Sequence, residues 1–123
     1  MKRFLAGILA AVLVFSFCGC GITFTAEKII GDSKIYSERD IEAAMDVVFR
    51  KFCTFEFSVL TELEYDEEFS DNMLEYNTEV YKADEAIVLR SKFIDLRKGT
   101  LEWNWTLVRA RGGEWELKTY GYC

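Results

Sequence analysis

The sequence predicts an α+β domain in which a curved antiparallel sheet packs on a long N-terminal helix. Three observations predict it. An apolar stripe at helical spacing begins at Ser37, an alternating pattern covers residues 57–65, and the last third reads as three strands joined by two turns. A helix with one oily stripe and a meander with one oily face are natural partners, because each buries what the other exposes.

Residues 21–36 have Thr, Gly and Ser with little period, and read as a tether running into a short extended lead-in. Ser37 is a good helix N-cap, and Asp40 three residues on resembles a capping box with Asp in place of Glu. Ile41, Met45, Val48, Phe49 and Phe52 then form one stripe. The opposite face carries Glu38, Arg39, Glu42, Asp46 and Arg50, with Asp46 and Arg50 at the pairing distance i,i+4. Residues 57–65 alternate with Phe57, Val59, Leu63 and Tyr65 on one face, and Asp66-Glu67-Glu68 ends that strand. Phe69, Met73, Tyr76 and Val80 recur near helical spacing, so residues 70–83 are expected to form a second, shorter helix that Ser70 caps.

The remaining strands are expected at 86–96, 101–110 and 114–122, with turns at 97–100 and 111–113. The second turn leaves the register open. A two-residue Gly112-Gly113 loop pairs Arg109 with Glu116 and Trp105 with Tyr120. A three-residue loop pairs Leu107 with Leu117 and sets Trp103, Trp105 and Trp115 on one face. The three-residue loop is preferred, since it collects the large apolar groups on one side; a one-residue slip would reverse this.

Half of the 123 residues are apolar and 15% are aromatic, which excludes a disordered chain. Residues 1–20 form a three-part export signal: basic Met1-Lys2-Arg3, an apolar run to Phe17, and the small-residue exit Cys18-Gly19-Cys20. A helix over the apolar run alone spans roughly 21 Å, short of the ~30 Å hydrocarbon core. The exit resembles the lipobox of bacterial lipoproteins, with Phe17 where Leu is usual and Cys18 as an uncommon second residue. Cys20 is then the lipidated residue, its thiol diacylated, and two acyl chains give a stable membrane anchor. An uncleaved anchor extended through Ile22, Phe24 and Ala26 is the main alternative, and an ordinary cleaved signal the other. The domain plan is a signal peptide at 1–19, lipid-attachment Cys20 and tether at 20–36, and one domain at 37–123.

Removing Lys2 and Arg3 from the 15 basic residues leaves 13 against 21 acidic ones, a net charge of −8 for the exported part. Such a surface repels nucleic-acid phosphates and anionic headgroups, so nucleic acid is set aside as a partner. The chain has no His, which removes the commonest general base and the commonest transition-metal ligand. No metal and no cofactor are expected.

Several segments together look like a known group. Tyr36-Ser37-Glu38-Arg39-Asp40-Ile41, Ala83-Asp84-Glu85-Ala86-Ile87-Val88-Leu89 and Trp105-Thr106-Leu107-Val108-Arg109 with Gly112-Gly113-Glu114-Trp115-Glu116-Leu117-Lys118 resemble small uncharacterised lipoproteins of Gram-positive gut bacteria. Those proteins are similar to the NTF2-like (cystatin-like) superfold. The resemblance covers about residues 28–122 and implies a fold and an address; it supplies no catalytic site to carry over.

Candidate chemistry is sparse. Asp66-Glu67-Glu68 with Asp71 lacks the alternating acids, Gly and distal Glu of a calcium loop, and reads as a solvated turn. Cys53 and Cys123 would close about 70 residues and add roughly 4 kcal/mol if they paired; the preferred alternative is a reduced, buried Cys53. Trp103, Trp105, Trp115, Tyr120 and Tyr122 are dense enough for an aromatic ligand platform, with a plain core face as the blander account. Asp95 shares strand parity with Ile87, Leu89 and Phe93, which is odd for a charge. NTF2-like enzymes use a carboxylate and a Tyr inside the cone, so Asp95, Tyr120 and Trp105 form the candidate pocket. An exposed Asp95 at a frayed strand end is the simpler expectation.

The expected function is thus a non-enzymatic ligand- or protein-binding module at the cell envelope, held at the extracytoplasmic face of the membrane and serving an envelope protein or a small ligand. A small-molecule enzyme with a carboxylate and Tyr in the cone is the alternative. A structural or inhibitory protein using a sheet face or edge is a third.

Overall fold

The computed structural model describes residues 26–76 and 83–122. The export segment with Cys18 and Cys20, and also Val80 and Cys123, lie outside those residues. Among the described residues, no helix is long and apolar enough to cross a membrane.

Helix α1 spans Glu38–Phe52. The Ser37 hydroxyl accepts the Asp40 N–H at 3.1 Å, and the Asp40 carboxylate accepts the Ser37 N–H at 3.2 Å, which completes the capping box with Asp at its third position. Ile41, Ala44, Met45, Val48 and Phe52 are buried, and each large member stabilises by roughly 1.5–3 kcal/mol. Phe49 sits at the edge of the stripe, half-buried with the Lys28 ammonium 5.2 Å from its ring centre. Arg50 donates to the backbone carbonyl of Asp46 at 3.4 Å, in place of the expected side-chain pair. At 15 residues α1 is short, and the expectation of a long helix is corrected. It ends because Thr54 and Phe55 turn their N–H groups back onto the Lys51 and Phe52 carbonyls, which sends Phe55 under the sheet.

Five strands form one sheet in the order β1-β2-β3-β4-β5: Glu27–Ile30, Ser58–Tyr65, Glu85–Asp95, Gly99–Arg109 and Glu116–Gly121. β1 runs parallel to β2 and every other pair is antiparallel. The sheet is therefore mixed, which corrects the expected antiparallel sheet, while β3, β4 and β5 form the antiparallel meander that the last third of the sequence predicts. Within the residues read as a tether and short extended lead-in, Glu27–Ile30 forms a strand of the sheet. Glu27-Lys28-Ile29-Ile30 shows no alternation, and parallel pairing with a strand more than 30 residues away leaves no local trace. Gly31 continues the approach, donating to the Tyr65 carbonyl at 3.0 Å, where a Cβ would meet that oxygen at 3.2 Å.

β2 corrects a parity. Leu60 pairs with Phe93 and Glu62 with Lys92, so Thr61 is an extra residue. Its hydroxyl donates to the Lys92 carbonyl at 3.0 Å. The bulge reverses the phase, so Ser58 and Leu60 before it face the same way as Leu63 and Tyr65 after it, and all four are buried. Phe57 and Val59, expected inside, are exposed and half-buried.

Helix α2 spans Glu67–Glu75, earlier than the expected 70–83. Asp66 is its N-cap, accepting the Glu68 N–H at 3.2 Å. Ser70 is not a cap. It is buried, and its Oγ accepts the Val88 N–H at 2.9 Å, satisfying an edge of β3 beyond its last pairing with β2.

The β4–β5 hairpin contains both registers that the sequence left open. Val108 pairs with Glu116 and Leu107 with Leu117 next to the turn; then Lys118 is an extra residue, and Thr106 pairs with Thr119 and Trp105 with Tyr120. The preferred three-residue register holds only as far as this bulge.

Candidate functional site

Aromatic side chains gather on the α1 side of the sheet, in two groups at opposite ends of that helix. At its C-terminal end, Trp105 is fully buried and its Nε1 donates to Ser91 Oγ at 2.8 Å; Ser91 in turn donates to the Trp103 carbonyl at 3.1 Å. Tyr120 stacks on Trp105 with centroids 5.0 Å apart and planes 20° from parallel. Phe55, brought in by the turn after α1, stacks on Trp105 from 5.9 Å and meets the edge of Trp103 at 5.7 Å. Trp103 also contacts Tyr120 at 5.9 Å and Tyr122 at 5.8 Å. The outer rings remain open: Tyr120 is 43% exposed and Tyr122 66%. Trp103 Nε1 is buried without an acceptor among the described residues. We call this group the aromatic rim.

At the N-terminal end of α1, Arg109 is the centre. Its side chain is 9% exposed, with Nη1 3.2 Å from Asp40 Oδ1 and Nε 3.2 Å from Glu85 Oε1. The guanidinium lies 4.3 Å from the Trp115 ring centre and 5.8 Å from that of Tyr36. Trp115 Nε1 donates to the Asp40 carbonyl at 2.9 Å and the Tyr36 hydroxyl to the Ala86 carbonyl at 2.9 Å. The hydrogen bonds from Arg109 and then Ser37 hold the Asp40 carboxyl below its ordinary range. One residue, Asp40, thereby caps α1 and anchors β4.

The candidate pocket residues are divided. Trp105 and Tyr120 are in direct contact, but Asp95 is elsewhere. Asp95 pairs with Gly99, and six positions of β4 separate Gly99 from Trp105, about 20 Å at the rise of a strand. Asp95 does share the face of Ile87, Leu89 and Phe93, but at 7% exposure it is covered rather than frayed. Its Oδ1 accepts the Arg97 N–H at 2.8 Å and the Lys98 N–H at 3.2 Å, and its Oδ2 lies 3.4 Å from the Arg97 guanidinium. The Arg97 N–H, followed by the Arg97 side chain, pulls the carboxyl below its ordinary value. Catalytic carboxyls that trade protons near neutrality are shifted the other way.

Among the described residues, cavities border the charged surfaces of the sheet. One of about 260 Å³ is lined by Glu62, Glu64, Arg90, Lys92 and Glu102, whose charges pair with one another. Another, about 400 Å³, lies beside the β4–β5 turn near Asp84, Val108, Glu114, Glu116 and Lys118. Neither is lined by Asp95, Trp105 or Tyr120.

The acidic run is built into the fold and is not a plain solvated turn. Asp66 caps α2, and Glu67 holds the loop after β1, accepting the Ser33 hydroxyl at 2.6 Å and the Lys34 N–H at 3.2 Å. Among the described residues no group of three or more His, Cys, Asp or Glu is placed to hold a metal ion. Cys53 follows α1, half-buried; its proposed partner Cys123 lies outside the described residues.

Phe55, Lys51 and Arg109 escaped the sequence. Arg109 had a signal, since it follows Trp103, Trp105 and Leu107 on the apolar parity of β4. Phe55 had none, as its position depends on where α1 stops. No family model matches the chain, and no curated protein or solved structure is significantly similar to it.

Proposed function

We propose that this chain is a non-enzymatic binding module, held at the extracytoplasmic face of the cell membrane by a lipid on Cys20, which presents the aromatic rim to a small ligand or protein of the envelope. Packing of α1 on the sheet supports assigning the fold to the NTF2-like (cystatin-like) kind. The observation that carries the binding reading is the exposure of Tyr120 and Tyr122 beside a rigid backing of Trp105, Trp103 and Phe55. Amphipathic rings with few rotatable bonds are efficient contact groups, and a cluster of them facing water at one rim is a recognition surface in kind. The enzyme alternative has weaker support, because Asp95 is engaged at the β3–β4 turn and distant from Tyr120.

Two measurements test this. Mass spectrometry of the membrane-extracted protein should find an acyl mass on an N-terminal Cys20; an intact Met1, or an unmodified mature start, rejects the anchor. For the rim, detergent-solubilised mature protein should be retained on isolated envelope material, and Tyr120→Ala with Tyr122→Ala should reduce that retention about tenfold. Equal retention of both forms rejects the rim as the binding surface.

A further inference from the structure

We infer that the aromatic rim takes an organic cation, a quaternary ammonium group of the choline type, at the place where the Lys51 ammonium lies. The inference rests on the rim being the binding surface and names the chemistry it would recognise.

Lys51, in the last turn of α1, holds its Nζ 5.6 Å from the Tyr120 ring centre. A cation within about 6 Å of a ring centre is attracted by the negative face of the π system. The chain makes other such contacts, but Arg109, Arg90 and Arg97 are each also bound to a carboxylate: Asp40 and Glu85, Glu64, and Asp95. Among the described residues no carboxylate lies within ion-pair distance of Lys51. Lys28 lacks one too, but its ring, Phe49, is not one of the rim aromatics. Among the described residues, only at Lys51 does a cation without a carboxylate meet a ring that belongs to an open cluster.

The Tyr120 ring is one member of a larger group. Trp103 is tilted 32° from Tyr120 and stands 73° to Tyr122, so the rings packed beside Tyr120 differ in orientation. An arrangement of differently oriented rings suits a rounded charge with no donor hydrogens. The Lys51 ammonium is a poor occupant by comparison, because it is compact and strongly hydrated, and losing that water opposes its seating. A trimethylammonium group is weakly hydrated and carries the same charge. The exported part, with its net charge of −8, also raises the local concentration of cations. Lys51 therefore acts as an internal competitor, a side chain that covers the Tyr120 face until a better cation displaces it.

The experiment titrates the intact mature protein with choline and tetramethylammonium, following tryptophan fluorescence, with neutral 3,3-dimethylbutan-1-ol as the isosteric control. Saturable binding of both cations is expected, with little response to the alcohol. Tyr120→Ala should abolish the response. Lys51→Met should strengthen it, by roughly two- to fivefold if an exposed cation–ring contact is being relieved. A gain of affinity cannot arise from misfolding, so this variant decides the matter even if Tyr120→Ala melts early. Absence of saturable cation binding overturns the inference, as does unchanged affinity in Lys51→Met. If the alcohol binds as well as choline and Tyr120→Ala removes both, the cation chemistry fails while the rim stands. If no probe binds and envelope retention is also indifferent to Tyr120→Ala, both fail together.

Discussion

At the N-terminal end of α1, Tyr36 and Trp115 enclose Arg109, and the ring N–H, the hydroxyl and the guanidinium all have partners. At its C-terminal end, Phe55, Trp103, Tyr120 and Tyr122 cluster on Trp105, and there the outer rings face water and the Trp103 N–H has no acceptor among the described residues. The same residue types do different work. Where a charge is shielded and paired, aromatic rings complete a structural joint between α1, β3 and β4. Where they are stacked upon one another and left open, they add contact area that the fold does not itself use. Aromatic density alone does not separate the two; satisfaction of the polar edges and exposure of the faces do.

The largest effect should come from the ring on which the open group is built. Trp105→Ala removes a fully buried indole and leaves Ser91 without its donor, so a loss of about 3–5 kcal/mol is expected in chemical denaturation. A loss below about 1 kcal/mol would mean that the rim is not backed by the core at all. Next comes the closed group. Arg109→Met keeps the stem and removes the charge from between Asp40 and Glu85, which should cost about 2–3 kcal/mol, less than a fully buried pair because Asp40 is partly solvated.

The same joint should respond to acid. The Asp40 carboxyl is held below its unfolded value of about 3.9, so its stabilisation is complete above that pH and disappears as pH falls through the lowered folded value. Wild type should therefore lose stability across this window more steeply than Asp40→Asn; parallel acid limbs would remove Asp40 from the joint. The smallest effect belongs to the open group. Tyr122→Ala should change stability by less than about 0.5 kcal/mol while still weakening binding at the rim. A large loss of stability would make Tyr122 part of the structure and collapse the contrast between the two ends.

Elements carried by local chemistry were legible. The Ser37–Asp40 capping box and the stripe from Ile41 to Phe52 stand as the spacing predicts, because caps and helical periodicity are properties of adjacent residues. The departures arose where one residue changes the phase. Thr61 in β2 and Lys118 in β5 are single extra residues, and nothing in an alternating pattern marks where such a residue falls. The second case is instructive, since two mutually exclusive registers are each realised on one side of Lys118. Strand β1 was hidden for another reason: its partner is remote and its four residues are too few to show a period. At the candidate site, the pairing of Trp105 with Tyr120 belonged to the register that was not preferred, and Asp95 lies apart from both because a carboxylate on core parity also serves to close a turn.

Strand β1 bears on reach. If Cys20 carries the proposed lipid, the six residues 21–26 are all the chain left between the bilayer surface and Glu27, which is already in the sheet. Fully extended, that leash measures about 20–25 Å, roughly the width of the sheet itself. It joins the domain at the β1 edge, whereas Tyr120 belongs to the β5 edge on the far side. A body so closely moored would sweep only a thin layer above the membrane. What the rim meets in life would then be whatever resides in or passes through that layer, and soluble molecules farther out in the envelope would have to come to it.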